Sequence, residues 1–231
     1  MKIYLKKSLK AVLAGALILS STSAFAQSSF GVGADVVSSY VWRGFKQTNT
    51  APNVQPYTTF TTGGLTIGAW GSADFTGVLH EFDLYATYAI SEKISVTLTD
   101  YNWTFGKSYF DYGKSTDHIF EATLAYAGSE ALPISASINT MFAGADKNSK
   151  SDQAFSTYIE LGYQVTDNAK LFLGGSPIDD SAYGAGVTNV GFKISKSIEF
   201  SDKFSLPVYG IAGFNTVKGK EDAFLVFGVS L

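Results

Sequence analysis

Cysteine is absent from this chain of 231 residues, which excludes disulfides, thiol chemistry and Cys-ligated metal sites. Arginine occurs once, at Arg43, and histidine twice, at His80 and His118. Two histidines among scattered acids give no metal-ligand spacing, and no cofactor is expected. Beyond residue 26 the acidic groups outnumber the basic ones, 20 to 13, so no nucleic-acid partner, which would want a clustered basic surface, is expected. Beyond residue 26, no apolar run reaches the ~18 residues of a helical membrane span. A helical membrane protein is thereby excluded. What the chain holds in quantity is aromatic side chains, 18 Phe and 13 Tyr, at a mean hydropathy of only +0.10.

The first 26 residues read as an export signal. Lys2, Lys6, Lys7 and Lys10 flank or precede an apolar run from Ala11 to Leu19, and Ala24 and Ala26 are small residues at the cleavage-determining positions. A mature chain beginning at Gln27 is expected. Without those four lysines, 13 basic groups face 20 acidic ones. The 205 residues from Gln27 onward suit one all-β domain.

From Ser29 to Gln47 the sequence alternates. Phe30, Val32, Ala34, Val36, Tyr40 and Trp42 share one parity; Gly31, Gly33, Asp35, Ser39 and Arg43 share the other. A period of two sets an oily side against a polar one. About ten tilted strand residues cross a bilayer's hydrocarbon core. The segment therefore reads as the first strand of a transmembrane β-barrel, with Tyr40 and Trp42 in an aromatic girdle at the lipid boundary.

The pattern recurs along the chain. Further strands are expected over 53–62, 65–74, 80–90, 94–105, 117–126, 134–143, 154–165, 169–175, 187–198, 205–214 and 222–231. Two irregularities stand out. Pro56 is placed near its strand's outer end, where pairing has stopped, because a closed barrel leaves no edge for a residue lacking an N–H. The change of phase at Thr99 and Asp100 calls for a bulge or for inward-facing aromatics. The expected fold is an antiparallel up-and-down barrel of about 12 strands, an even number as in bacterial single-chain barrels. Short and long connections alternate, as periplasmic turns and extracellular loops do. A soluble β-sandwich would show neither this alternation nor so many aromatics on one parity.

Charge on the lipid face of a barrel is costly, about 2–4 kcal/mol for Arg or Lys at the midplane. The charged residues on the polar parity are therefore expected to line the lumen: Asp35, Arg43, Glu81, Asp83, Glu121, Glu160 and Lys193. Five acids against two bases favour cations. Arg43 is either a constriction residue that selects solutes or a structural partner of Asp35 or another lumen acid. A lipid hydrolase at the rim would have to draw on His80 or His118 with Ser108, Ser115, Asp111 or Asp117, and no nucleophile motif supports one. No enzymatic activity is expected. A closed structural or adhesion barrel is the other alternative.

The block SSYVWRGFKQT, Ser38 to Thr48, followed by Ala51-Pro52-Asn53-Val54-Gln55, resembles the N-terminal signature of the TorF family of porins. Glu81 to Tyr85 and the aromatic run Tyr109 to Gly113 resemble that family as well. The final strand, with Leu225, Phe227, Val229 and Leu231 on one parity, resembles the signal read by the barrel-assembly machinery, which usually closes on Phe or Trp. The resemblance implies a bacterial outer-membrane barrel proposed to pass small solutes. Sec export, the barrel-assembly machinery, outer-membrane lipid and small hydrophilic solutes or ions are the expected partners. It carries no catalytic residues.

Overall fold

The computed structural model describes residues 28–231 apart from 49–50, 77–78, 104–108, 114–115, 181 and 203, and the backbone alone at Leu79 and His80. The export signal read at residues 1–26 lies outside the described residues. Fourteen strands are present among the described residues: β1 (Ser29–Val37), β2 (Val41–Trp42), β3 (Phe45–Lys46), β4 (Asn53–Thr62), β5 (Leu65–Asp74), β6 (Leu79–Ala89), β7 (Ile94–Tyr101), β8 (Ile119–Tyr126), β9 (Ile134–Gly144), β10 (Thr157–Thr166), β11 (Ala169–Ser176), β12 (Gly186–Ser201), β13 (Phe204–Asn215) and β14 (Asp222–Ser230). Twelve of them, β1 and β4 to β14, form a closed antiparallel up-and-down barrel. The remaining two pair only with each other.

Closure is achieved by β1, which pairs β4 along its whole length and β14 through Asp35, Val36 and Val37. Ala34 and Leu231 exchange both backbone hydrogen bonds and extend that seam. Most connections alternate short and long around the barrel, the β5–β6 and β6–β7 connections being of equal length, which defines a turn end and a loop end.

Side-chain alternation gives the wall two faces of different polarity. On β14, Leu225 and Phe227 are 58% and 60% exposed, whereas Phe224 and Val226, which alternate with them, are 6% and 4% exposed. The outer face is apolar on every side of the barrel, as at Ile67, Leu98, Leu124, Leu161 and Phe192. The inner face carries buried Asp, Glu, Asn, Ser and Thr. One inner patch is oily, where Val37, Tyr209, Phe224 and Val226 pack together.

Glycine sets the inner dimensions. Gly33, Gly68, Gly191 and Gly228 directly oppose Tyr57, Tyr85, Phe172 and Tyr209 across the ladder. Each ring lies where the glycine would otherwise carry a Cβ. Such cross-strand pairs stabilise the sheet and let large rings lie flat against the wall.

Three expectations need correction. The first strand ends at Val37, not Gln47, because the chain leaves the wall at Ser38. Pro56 is not beyond the end of pairing: Asn53 and Val54 still pair with Asp74 and Ala73, and the β4–β5 ladder skips only Gln55 and Pro56. The missing N–H thus costs a local gap in one ladder, while Pro56 stays opposite Ala34 in the other. The fifth expected strand ends at Tyr101, and its register with β6 and β8 runs without a bulge. Of the two readings of the phase change, the inward-facing aromatic holds: Tyr101 faces inward, where its hydroxyl donates to Glu121. Phe105, the expected end of that strand, lies outside the described residues.

Two glycine substitutions separate the causes at work. Gly228→Val puts carbon atoms into the Tyr209 ring, an overpacking that should cost about 1–3 kcal/mol. Gly63→Ala meets nothing within 4 Å and bears only the left-handed backbone penalty at φ 55°, about 1–2 kcal/mol. Urea unfolding of the refolded barrel, followed by tryptophan fluorescence, should rank them in that order.

Candidate functional site

The chain between β1 and β4 turns into the lumen. Val41–Trp42 and Phe45–Lys46 pair as a minimal hairpin, with Val41 opposite Lys46 and Trp42 opposite Phe45. Arg43 and Gly44 are its two-residue turn, at φ 53° and 86°. Positive φ at both central positions is the type I′ geometry, which suits the twist of a tight hairpin. Gly44 also lies against the wall: a Cβ there would run into the carbonyl of Thr188 on β12.

Tyr40 and Trp42 are therefore lumen residues, contrary to the lipid girdle expected from the sequence. Tyr40 is buried, donates to Glu81 Oε2 at 2.5 Å and packs against Trp70 with ring centroids 5.5 Å apart. The physical reason is polarity: the two serines and the Arg-Gly turn take the chain out of the wall, and the interior offers a carboxylate to the Tyr40 hydroxyl.

Arg43 sits at the centre. Its Nη1 and Nη2 donate to Glu121 Oε2 and Oε1 at 2.6 and 2.8 Å, a bidentate pair. Nη1 also donates to the Tyr183 hydroxyl. The guanidinium carbon lies 4.4 Å from the Trp42 ring centroid and 4.8 Å from that of Tyr158. The Arg43 and Glu121 side chains are 10% and 1% exposed. Tyr101 donates to Glu121 Oε1 at 3.0 Å and fixes the carboxylate's orientation.

Tyr183 reaches this point from the connection between β11 and β12. Asp180 shapes that connection by accepting hydrogen bonds from the Tyr183 backbone N–H at 2.7 Å, the Ser176 hydroxyl at 2.6 Å and the Thr157 N–H at 3.2 Å. Burial pushes the Tyr183 phenol above its ordinary range, so the hydroxyl keeps its proton at neutral pH.

The return of the chain to β4 is anchored by Asn53, fully buried, which donates to Thr48 Oγ1 and the Ala51 carbonyl and accepts from Ser72.

All seven charged residues singled out from the sequence face the interior, in separate groups. Arg43 pairs with Glu121, not with Asp35. Glu81 holds Tyr40, and Asp83 accepts the Asn102 N–H at 3.3 Å. Glu160 accepts from Tyr158 at 2.7 Å and from Asn189 at 3.3 Å. Asp35 accepts from Tyr209, over whose ring the Lys193 ammonium lies at 4.3 Å. Lys170, which the sequence reading left out, shares the inner face and lies over Gly162. Tyr158 and Tyr183 were also missed. Tyr158 shares the inward parity of Glu160 and could have been read from it; nothing in the sequence placed Tyr183.

At the loop end, His118 Nδ1 contacts Asp100 Oδ1 at 2.6 Å, and Nε2 lies 2.6 Å from the Tyr109 carbonyl. Both ring nitrogens are engaged. Ser108 and Ser115 lie outside the described residues; Asp111 is exposed and accepts the Gly113 N–H. His80 falls on β6. No described group of His, Asp or Glu could hold a metal ion. Neither a protein-family model nor a curated protein matches the sequence.

Glu121→Ala leaves the guanidinium without its counter-charge in a buried site, and should destabilise the barrel by about 3–5 kcal/mol. The double variant with Arg43→Ala should lose less than the two single variants combined, measured as a double-mutant cycle from urea midpoints.

Proposed function

We propose that this protein is an outer-membrane channel for the passive diffusion of small hydrophilic solutes or ions, with a preference for cations, gated by the β2–β3 hairpin. The observation that carries the reading is the contrast within the barrel: an apolar outer wall encloses an inner wall of charged and hydroxyl side chains. An interior meant only to be filled would be stabilised better by apolar packing than by buried charge. The hairpin inside is held by a few polar contacts and has only two ladder pairs of its own. Twelve strands give a diameter between filled 8-stranded barrels and open 16-stranded porins, wide enough to hold an extra segment or a solute. Five acids against Arg43, Lys170 and Lys193 bias the interior toward cations. The resemblance of residues 38–55 to the TorF family of porins points the same way.

A closed structural barrel is the second reading. It is favoured by how completely the lumen is filled at hairpin level, where Glu81, Ser72 and Thr188 have essentially no exposure. On either reading the chain is not an enzyme.

The two readings separate in a planar bilayer. The refolded protein should show rare, brief openings. A variant whose residues 40–47 are replaced by a Gly-Ser linker should show steady open steps and, in a salt gradient, a cation-side reversal potential. A linker variant that migrates as a folded barrel and stays silent would establish the structural reading.

A further inference from the structure

The groups that hold Arg43 form a receptor that belongs almost wholly to the rest of the chain. Glu121 on β8 presents both carboxylate oxygens, and Tyr101 on β7 fixes them. Tyr158 on β10 offers a ring face, and the Tyr183 hydroxyl accepts a further N–H. Only the Trp42 ring would leave with the hairpin. A carboxylate met edge-on by two N–H groups, with aromatic rings above the plane, is the chemistry that recognises a guanidinium. An ammonium matches it less well, being a point charge without a planar fork.

The occupant is held by side-chain contacts, among them Trp42 and Phe45 against Tyr183, more than by its own backbone ladder. Arg43 sits in the left-handed region at φ 53°, where a residue with a Cβ is strained. Two paired positions are too few for a stable free-standing ribbon. Beyond the cage, the hairpin's polar ties to the wall are Tyr40 to Glu81, the Asn215 amide to the Gly44 carbonyl at 3.5 Å, and the exposed Lys46 to Asp222.

We infer that the Glu121 cage is a binding site for small solutes bearing a guanidinium group, and that Arg43 occupies it as an internal stand-in for such a solute. Binding of the solute displaces the guanidinium of Arg43, and the hairpin loses its principal anchor. The substrate's own recognition group thereby opens the gate. This deepens the channel reading and rests on it for the consequence of binding, though not for binding itself.

The test uses the full refolded protein with methylguanidinium as the probe and methylammonium as the control. Binding is read from the fluorescence of Trp42 and Trp103, whose rings lie 5.8 Å apart beside the cage. Arg43→Ala empties the cage, so it should bind methylguanidinium about tenfold or more tightly than does wild type, in which the internal arginine competes. The Arg43→Ala/Glu121→Gln variant should lose that binding, and methylammonium should bind neither. Equal affinity in Arg43→Ala and the double variant overturns the assignment. Should Arg43→Ala fail to refold alone, refolding with methylguanidinium decides: recovery of the barrel supports the cage, and no recovery overturns it.

Bilayer conductance of wild type is then recorded with and without the probe. Binding accompanied by more frequent openings supports both the site and the channel. Binding without conductance upholds the site and overturns the channel. Openings unaffected by the probe, with no binding of it by wild type or by Arg43→Ala, uphold the channel and overturn the site.

Discussion

A guanidinium taken out of water must meet a carboxylate, because an uncompensated buried charge costs several kcal/mol. Arg43 meets that requirement at Glu121, and the position of the hairpin follows from the pair. Its own hydrogen bonds are few: Val41–Lys46 and Trp42–Phe45 pair, and the Gln47 N–H donates to the Tyr40 carbonyl at 2.8 Å. The Glu121 side of the bond is rigid, since β8 is paired along its length with β7 and β9 and Tyr101 orients the carboxylate from the neighbouring strand. A mobile cation is thus fitted to a fixed anion, and the order of dependence runs from wall to plug.

The wall can accept a plug because its own side chains are arranged to leave room. Tyr57, Tyr85 and Tyr209 lie over facing glycines, so their bulk runs along the wall and not across the lumen. The interior is filled by side chains of the β2–β3 hairpin and by Tyr183 from the connection before β12. That division has a consequence for mutation. Changes at the glycine–tyrosine pairs strain the barrel itself, whereas changes at Arg43, Tyr40 or Gly44 act on an element whose removal leaves every barrel ladder intact.

Period-two alternation made the barrel legible. It placed most strand ends within a few residues of those in the structure, because inward and outward media differ at every step along a strand. It also put the charged residues inside, since a charge on an apolar wall has no alternative. The same rule failed after Val37. Tyr40 and Trp42 continue the oily parity of Phe30 and Val32, but alternation reports that two faces differ, not which medium each face meets. The signal that could have caught the change is Arg43-Gly44: a glycine completing a two-residue loop between Tyr-Val-Trp and Phe-Lys-Gln is hairpin chemistry. Pro56 misled in the opposite direction, since a barrel tolerates a short gap in one ladder when the other ladder holds. Which acid Arg43 would choose was not legible at all. That depends on three-dimensional closure, which brings residues 78 positions apart within hydrogen-bonding distance.

On the channel reading, gate and filter are one device. With the hairpin in place, its guanidinium offsets one of five interior acids, and Tyr40 caps another. When the hairpin leaves, Arg43 leaves with it, and Lys170 and Lys193 remain as the inner-face bases against Asp35, Glu81, Asp83, Glu121 and Glu160. Opening therefore makes the lumen more negative at the moment it becomes wet. The attraction for cations then rises together with access for them. A gate tethered through neutral contacts would change access alone; one tethered through an arginine changes the field as well. The placement of the chain's single arginine on the plug, and not on the wall, is what couples the two.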